Sequence, residues 1–364
     1  MKKICFLIAD INHSGGTERV TTLIANSLAE QENHVFILSL SRGDQPFFEL
    51  NSKINVQSIF EEKISMRKNF FEAVKRIRHF LVSNNIDTLI VVDSISCVFT
   101  VPACRGLKLN HICWEHFNLK VNLGSRFRDL GRWMAARWCH KIITLTERDK
   151  SFWDEKYNLA SVQKVFAIPN PSPYELQDNY PNLESKTVLC VGRLTPQKGF
   201  DYLVDAWSKM ASHVPDWKVI IVGCGEDENK LKDLAKEKGV DTSIIFAGQQ
   251  KNMDQFYRKA SFFCMSSRFE GLPMVLLEAQ SYGLPIVSFD CDTGPAEIIH
   301  DENNGYLVEC FNTDLLAKSL ERMINKNQNE FENMVNFSFN NSKNFEIDQI
   351  SIKWKKLLDN HRER

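Results

Sequence analysis

The segment KICFLIADINHSGGTERVTTLIANSLAE, residues 3–30, decides the fold of this chain. Its first seven residues form an almost unbroken apolar run, which is typical of a strand buried on both faces of a parallel sheet. A loop with Gly15 and Gly16 follows, and residues 17–29 then carry apolar side chains at helical spacing. A second apolar run at 35–40 completes the unit. Strand, glycine loop, helix and strand form a βαβ unit, which predicts a parallel α/β sheet.

The same alternation starts again in the second half of the chain, after a proline-rich stretch without periodicity. We therefore predict two Rossmann-like domains in tandem. The predicted division is an N-terminal domain at 1–168, a linker at 169–186, a C-terminal domain at 187–343 and a terminal helix within 344–364. The strands predicted for the two domains lie at 3–9, 35–40, 88–92, 111–114 and 141–145, and at 187–191, 218–222, 244–246, 262–265 and 285–289.

The composition is that of a globular protein, with 43% hydrophobic and 25% charged residues and a net charge of −1 over 364 residues. The charge is divided unevenly, because residues 1–165 carry a net +6 and the remainder a net −7. A basic half favours an anionic partner or surface. Asp10 interrupts the apolar run behind Lys2 and Lys3, and no run approaches the ~20 apolar residues of a membrane span. We therefore expect no signal peptide and no membrane-spanning helix. We expect the protein to be cytoplasmic.

The ten cysteines are scattered along the chain, and no two of them form a CxxC pair. Most lie in apolar, strand-like runs. This pattern favours buried free thiols in a reducing compartment over disulfides or a zinc site.

Residues 192–199 read GRLTPQKG and directly follow the first strand of the second domain. Ligands of open α/β sheets bind at the carboxyl ends of the strands, so Arg193 and Lys198 are two cations placed to bind a diphosphate. A solvated loop with two unrelated cations is the alternative. Gly192 opens this loop, and Gly223 follows a later strand, where glycine lets the backbone approach a phosphate or a base.

Residues 267–279 read SRFEGLPMVLLEA and put two carboxylates eight residues apart. Pro273 suits the first position of a helix, so Glu270 is expected at the helix mouth and Glu278 inside the helix. Free N–H groups and a partial positive charge at that mouth suit a phosphate or a sugar hydroxyl.

Three further polar residues sit at predicted strand ends. Asp290 and Asp292 could hold Mg²⁺ or Mn²⁺ as a carboxylate pair, but a polar loop is the preferred interpretation because Arg193 and Lys198 already neutralise a phosphate. We predict no metal. His116 follows the strand at 111–114 and is either a ligand or acid–base group or an ordinary loop histidine.

Taken together, Gly15 and Gly16, His116, Arg193 with Lys198, and Glu270 with Glu278 resemble glycosyltransferase family 4, whose members are retaining enzymes of the GT-B fold. The blocks at 192–199 and 267–283 are its most specific parts. The resemblance implies two Rossmann-like domains with parallel sheets facing across a cleft. The C-terminal domain would hold a sugar nucleotide and the N-terminal domain the acceptor, and the last helix would cross back to the N-terminal domain.

The resemblance also implies roles for single residues. Arg193 and Lys198 would bind the diphosphate and stabilise the leaving group, and Glu270 would contact hydroxyls of the donor sugar. Glu278 would bind the ribose, and His116 would lie near the donor sugar. The remaining donor contacts would come from Gly15, Gly16, Gly192, Gly223 and the segment of Gly271, Leu272, Pro273 and Met274. Residues 290–297, DCDTGPAE, depart from the Gly-Gly before a glutamate that many members carry.

Two basic, aromatic-rich segments at 63–83 and 125–141 suit an anionic bilayer surface. We predict that Arg126, Arg128 and Arg132 form an acceptor or membrane face, although ordinary helices packed on the first sheet would give the same pattern. The sequence carries no recognised nucleic-acid motif, so no nucleic-acid partner is expected.

The predicted function is retaining transfer of a hexose or N-acetylhexosamine, expected to be UDP-linked, to a polyprenyl- or lipid-linked or surface glycan. We expect no cofactor and a peripheral location on the inner face of the plasma membrane. The alternatives are a sugar-nucleotide epimerase of the same fold and a non-catalytic sugar-nucleotide-binding protein.

Overall fold

The computed structural model describes residues 1–43, 45–65 and 68–359, which leaves Met66 and Arg67 of the basic segment 63–83 outside the described residues. The chain divides into two compact units. The first unit holds Met1–Pro173 and the last helix, and the second holds Tyr174–Glu346. The division falls inside the segment 169–186 that the sequence predicts as a linker.

The described residues of the first unit form a seven-stranded sheet in which every neighbouring pair is parallel. Its strands are β1 (Lys3–Ile8), β2 (His34–Ser39), β3 (Asn55–Ser58), β4 (Thr88–Val92), β5 (Asn110–Trp114), β6 (Lys141–Thr144) and β7 (Val165–Ala167). The order across the sheet is β3-β2-β1-β4-β5-β6-β7. The chain therefore reverses its direction of growth between β1 and β4, which is where open α/β sheets bind ligands.

Five helices of the first unit connect these strands: α1 (Gly16–Glu30), α2 (Phe70–Ser83), α3 (Cys97–Cys104), α4 (Arg126–Trp138) and α5 (Glu147–Tyr157). The strands are apolar along most of their length because helices cover both faces of such a sheet. Side chains such as Leu7, Leu89 and Ile142 are fully buried in the resulting core.

The second unit repeats this architecture with a six-stranded parallel sheet in the order β10-β9-β8-β11-β12-β13. Its strands are β8 (Thr187–Val191), β9 (Lys218–Val222), β10 (Ile244–Gly248), β11 (Phe262–Met265), β12 (Ile286–Phe289) and β13 (Gly305–Val308). Its helices are α6 (Phe200–Met210), α7 (Glu228–Glu237), α8 (Asp254–Lys259), α9 (Met274–Ser281), α10 (Pro295–Ile298), α11 (Thr313–Ile324) and α12 (Gln328–Ser342). The switch in strand order lies between β8 and β11.

The last helix, α13 (Ile347–Asp359), belongs to the first unit. The hydroxyl groups of Ser351 and Ser27 are hydrogen-bonded, which ties α13 to α1. Trp354 is fully buried and meets Trp114 of β5 edge-on at 4.8 Å between ring centroids. The two parallel Rossmann-like sheets and the return of the terminal helix to the first unit are thus confirmed. In the range that the structure covers, no helix is both long enough and apolar enough to cross a bilayer.

Candidate active site

The backbones that follow β8 and β9 approach each other closely at two glycines. Gly223 has a φ of 146°, and a Cβ there would lie 1.9 Å from the carbonyl oxygen of Gly192. Gly192 in turn lies under the aliphatic stem of Lys198, whose carbons would be 3.3–3.4 Å from an added Cβ. Both predicted glycines therefore allow close approach, and they shape the floor on which the Lys198 side chain lies.

Lys198 and Glu270 join the two loops that flank the switch point of the second sheet. Lys198 Nζ donates to Glu270 Oε1 at 2.7 Å, and their side chains are 19% and 8% exposed. Arg268 N donates to the Gln197 carbonyl at 2.8 Å, which also joins the two loops, and the Arg268 side chain forms a bidentate pair with Asp201 of α6. These bonds hold the charged groups of Lys198 and Glu270 at the edge of the sheet.

Arg193 lies in the same loop as Lys198 but has a different environment. Its side chain is exposed, and among the described residues no side chain or carbonyl group accepts a hydrogen bond from it. A guanidinium that no described residue accepts from, in the same loop as the largely buried ammonium of Lys198, suits a ligand with several anionic oxygens.

Glu278 lies within α9 and is buried, and Tyr257 Oη donates to its Oε2 at 2.6 Å. Tyr257 is itself stacked on Tyr282, with ring centroids 5.0 Å apart. The helix begins one residue later than predicted, because Pro273 is the N-cap with a ψ of 111° and Met274 is the first helical residue. Gly271 and Leu272 form the turn before this cap.

The loop after β12 supports Glu270 from behind. Thr293 Oγ1 donates to the Glu270 carbonyl at 2.6 Å, and Gly294, at a φ of 103°, lies against Gly271 and Pro273. This part of the chain departs from the pattern of the resembled family, and the structure shows it as packing support for the loop that carries Glu270.

His116 follows the end of β5 in the first unit and is 8% exposed. Its ring lies 4.5 Å from that of Trp114. Burial lowers the pKa of His116 to about 4, so the imidazole is neutral at pH 7. Among the described residues, no group is hydrogen-bonded to its buried Nε2. An unpartnered buried nitrogen at a strand's carboxyl end can accept or donate one hydrogen bond to a ligand.

Next to His116 lies a buried cluster of charges that the sequence did not reveal. Arg132 is fully buried, and its Nε donates to Glu115 Oε2 at 2.9 Å. Arg128 NH1 donates to Asp93 Oδ1 at 2.5 Å and lies 3.7 Å from Glu115 Oε1. Ser94 Oγ also donates to Glu115 Oε2.

The prediction of Arg128 and Arg132 as a membrane face is therefore wrong, since both are buried and ion-paired. Only Arg126 of the predicted three is exposed. Burial raises the pKa of Asp93 to about 6, and the φ of 71° at Asp93 is uncommon for a residue with a side chain. Strained backbone of this kind is typical of functional sites.

The outward face of α4 and the turn before it carry exposed apolar side chains. Trp133 and Trp138 are about half exposed and meet edge-on at 5.0 Å between ring centroids. The other members of this face are Leu123, Arg126, Leu130 and Arg137, all exposed. We call these six residues the α4 face.

The predicted glycine loop of the first unit stands at the start of α1. Gly15 is the N-cap and Gly16 the first helical residue, and both are exposed. A Cβ on Gly15 would lie 2.3 Å from Glu18 Oε2, so glycine lets the Glu18 side chain fold back over the helix start.

Comparison with known proteins adds to this geometry. Residues 14–173 match the family described as Glycosyltransferase Family 4, and residues 175–341 match the family described as Glycosyl transferases group 1. An uncharacterized glycosyltransferase of Haemophilus influenzae is 37% identical over 98% of this chain and 100% of its own length. The GalNAc-α-(1→4)-GalNAc-α-(1→3)-diNAcBac-PP-undecaprenol α-1,4-N-acetyl-D-galactosaminyltransferase of Campylobacter jejuni is 28% identical over 98% of each chain.

Solved structures share the fold at lower identity. The lipopolysaccharide outer core galactosyltransferase WaaB in its apo form superposes with a TM-score of 0.80 at 22% identity, covering 98% of this chain and 99% of WaaB. Anabaena HepE in complex with UDP and glucose superposes with a TM-score of 0.81 at 17% identity, covering 99% of this chain and 100% of HepE.

Proposed function

Since this chain belongs to glycosyltransferase family 4 and is a hexosyltransferase of the GT-B fold, we propose that it moves a hexose or N-acetylhexosamine from UDP to a lipid-linked glycan, with retention of configuration. The family, fold and enzyme class predicted from the sequence are confirmed. The observation that carries the proposal is the 2.7 Å pair of Lys198 and Glu270 at the switch point, with the exposed Arg193 in the same loop.

The two cations account for the leaving group. Breaking the bond to the anomeric carbon builds negative charge on the diphosphate, and fixed cations stabilise that charge by several kcal/mol. An ammonium has three donors, so Lys198 can bind a phosphate oxygen while one donor stays on Glu270. Glu270 thereby positions Lys198 and also presents a carboxylate to the hydroxyl groups of the donor sugar.

Retention is proposed to follow from a same-face displacement. The acceptor oxygen attacks the anomeric carbon from the side that the diphosphate leaves, and a leaving phosphate oxygen takes the acceptor proton. This mechanism needs no carboxylate nucleophile, unlike a retaining glycosidase. His116, neutral at pH 7, is proposed to hydrogen-bond a sugar hydroxyl through Nε2.

The identity of the donor and acceptor rests on related proteins. HepE has been solved with UDP and glucose, and the Campylobacter jejuni relative is named for an undecaprenol-PP-linked acceptor. HepE supports a UDP donor for this chain, and the Campylobacter jejuni relative supports a lipid-linked acceptor. We propose that the enzyme works at the cytoplasmic face of the membrane. The buried position of Cys5, Cys190 and Cys264 is compatible with a reducing compartment.

The α4 face is proposed to dock on an anionic bilayer, in place of the buried Arg128 and Arg132. Tryptophans favour the bilayer interface, and each exposed arginine near an anionic surface contributes about 1 kcal/mol. On a helix at an ordinary protein–water surface, arginines are exposed and tryptophans are buried. Helix α4 shows the reverse, with two buried arginines and two exposed tryptophans. We therefore expect peripheral, salt-sensitive binding through this face.

Turnover tests the reaction directly. UDP release should require one sugar nucleotide of a UDP-sugar panel together with a lipid-linked acceptor, and NMR of the product should show the anomeric configuration of the donor. Turnover of a UDP-sugar to its epimer without acceptor would replace this proposal with the epimerase. Activity should survive EDTA, because Arg193 and Lys198 neutralise the diphosphate. A loss restored by Mg²⁺ or Mn²⁺ would assign a metal to Asp290 and Asp292.

Vesicle sedimentation tests the docking face. Arg126→Glu combined with Trp133→Ser should reduce pelleting with anionic vesicles and leave transfer to a short water-soluble acceptor unchanged. The matched control, Lys232→Glu with Ile245→Ala, alters one exposed cation and one exposed apolar residue of the second unit. Equal pelleting of both double variants and wild type would exclude the α4 face as the docking surface.

A further inference from the structure

The core of the first unit contains a cluster of sulfur and nitrogen side chains that the proposed reaction does not use. Cys97, His111 and Cys139 are buried, and one potential ligand atom from each lies within 4.8 Å of the others. Cys97 begins α3, His111 lies near the start of β5, and Cys139 is the C-cap of α4. Across residues 1–43, 45–65 and 68–359, this is the one place where three metal-binding groups meet in this way.

The separations within the cluster match the edges of a metal coordination tetrahedron. Cys97 Sγ lies 4.0 Å from Cys139 Sγ, and Cys139 Sγ lies 3.7 Å from His111 Nδ1. Tetrahedral Zn²⁺, with bonds of about 2.3 Å to sulfur and about 2.0–2.1 Å to nitrogen, places two sulfurs about 3.8 Å apart and sulfur and nitrogen about 3.6 Å apart. Two edges of the cluster therefore fit a tetrahedral ion to within a few tenths of an ångström, and the third, between Cys97 and His111, is at most 4.8 Å.

The histidine is already held in the orientation of a ligand. His111 Nε2 lies 3.0 Å from the hydroxyl oxygen of the buried Thr100. With its proton on Nε2, the imidazole donates to Thr100 and turns the lone pair of Nδ1 toward Cys139. Metal-bound histidines are fixed in this way by a second hydrogen bond.

Cys113 is a potential fourth ligand, but it lies outside the set of atoms that are within 4.8 Å of one another, so its thiol would have to move closer to complete a tetrahedron. Cys113 is two residues after His111 on β5, so both side chains leave the same face of the strand, and its thiol interacts with that of Cys97. Three thiolates and a neutral imidazole around a divalent ion leave a net charge of −1, so the charge of the buried ion is compensated by its ligands.

We propose that Cys97, His111 and Cys139, with Cys113 as the fourth ligand, form a structural site for a thiophilic cation, with Zn²⁺ as the expected occupant. The site would join the starts of α3 and β5 to the end of α4. His111 lies near the start of β5 and His116 follows its other end, so the ion would stabilise the fold and take no part in transfer. A closed site of this kind is filled as the chain folds.

The spacing of these residues explains why the sequence did not predict a metal. Cys97 and Cys139 are 42 positions apart, and His111 is 28 positions before Cys139. Zinc sites are recognised in sequences by short paired spacings, and this set has none.

The test measures metal in the full-length protein. The protein is purified from zinc-supplemented cells without chelator and is then desalted. Elemental mass spectrometry should find about one zinc per chain. Refolding in Co²⁺ should give the thiolate charge-transfer and d–d absorption of a tetrahedral site. Cys97→Ala with Cys139→Ala should abolish both signals and lower the melting temperature.

The control is Cys190→Ala with Cys264→Ala, a second pair of buried interacting thiols in the other unit. It should retain the metal and the cobalt spectrum. If the cluster variant does not fold, the cobalt spectrum of wild type and the metal content of Cys113→Ser decide the question. Wild type with well under one zinc per chain and no cobalt spectrum, or with a Cys97–Cys139 disulfide in place of a metal, would overturn the proposal.

Discussion

The first six strands of the first sheet have the same order as the six strands of the second, yet the carboxyl edges of the two sheets differ in how their charges are paired. In the second unit Arg193 is exposed, and the pair of Lys198 and Glu270 is partly open. In the first unit Arg132 and Glu115 are fully buried and neutralise each other. Open α/β sheets with this strand order bind ligands at this edge. We infer that the loops decide whether the charges there are available to a ligand or hold the protein together.

This difference has an energetic consequence. Removing one partner of a buried ion pair leaves an uncompensated charge in the core, which costs far more than the pair itself contributes. Removing an exposed cation changes the stability of the free protein little. It lowers the reaction rate, because the cation acts when negative charge develops on a ligand. Substitution of an arginine in the first unit should therefore lower stability, whereas substitution of an arginine in the second unit should lower activity.

The largest effect on stability is expected in the first unit. Arg132→Met leaves Glu115 buried without its guanidinium partner and should lower the free energy of unfolding by about 3–5 kcal/mol. Arg126→Met, on the exposed face of the same helix, is the control and should stay within about 0.5 kcal/mol of wild type. Urea titrations give both values. Equal stability of the two variants would show that the buried cluster is dispensable, and the contrast between the sheets would fail.

The largest effect on activity is expected in the second unit. Arg193→Ala and Lys198→Ala should each lower kcat by about 10²–10³, the usual loss when one stabilising group for a developing anion is removed. Arg193→Ala should keep the wild-type melting temperature, while Lys198→Ala should lose a little stability because Glu270 loses its partner. Lys232→Ala removes a cation on α7 and serves as the control. Near-wild-type turnover of both loop variants would remove this loop from the active site.

The placement of the candidate site residues in the second unit could be predicted because they come in two short blocks. Gly192 to Lys198 and Glu270 to Glu278 each follow a strand that the apolar pattern reveals. The residues that contact these side chains could not be predicted. Tyr257 reaches Glu278 from α8, and nothing in the local sequence indicates that contact.

The first unit was harder to predict because its site is assembled from several distant elements. Asp93 follows β4, Glu115 follows β5, and both arginines come from α4. Helical spacing shows that Arg128 and Arg132 share a face, but it cannot show that this face is the inner one. Ordinary patterning puts tryptophan inside and arginine outside, and α4 does the reverse. Short edge strands such as β3, β7 and β13 also escaped prediction, since three or four residues carry too little pattern.

Acid should affect the first unit through His116. Its pKa is about 4 in the folded protein and about 6.5 in an unfolded chain, so the unfolded state binds more protons between these values. Stability must therefore fall as pH drops through this window, by about 2 kcal/mol between pH 7 and pH 5 for this group. His116→Gln should remove that share of the acid sensitivity, whereas His79→Gln, at an exposed position, should leave it unchanged. Identical pH dependence of wild type and His116→Gln would place the pKa of His116 near its ordinary value.

The smallest effect is expected at Glu278. This residue is buried like Glu115, yet it is proposed to bind the donor, as Glu270 is. A ribose contact is made equally in the ground and transition states, so Glu278→Gln should raise KM for the donor about tenfold and change kcat little. Tyr257→Phe removes only the hydroxyl that orients the carboxylate and should raise KM by a smaller factor. Tyr282→Phe is the matched control, because Tyr282 stacks on Tyr257 but donates to Asp254 instead. A large fall in kcat with unchanged KM for Glu278→Gln would contradict the ribose role and place this carboxylate with the groups that act on the transition state.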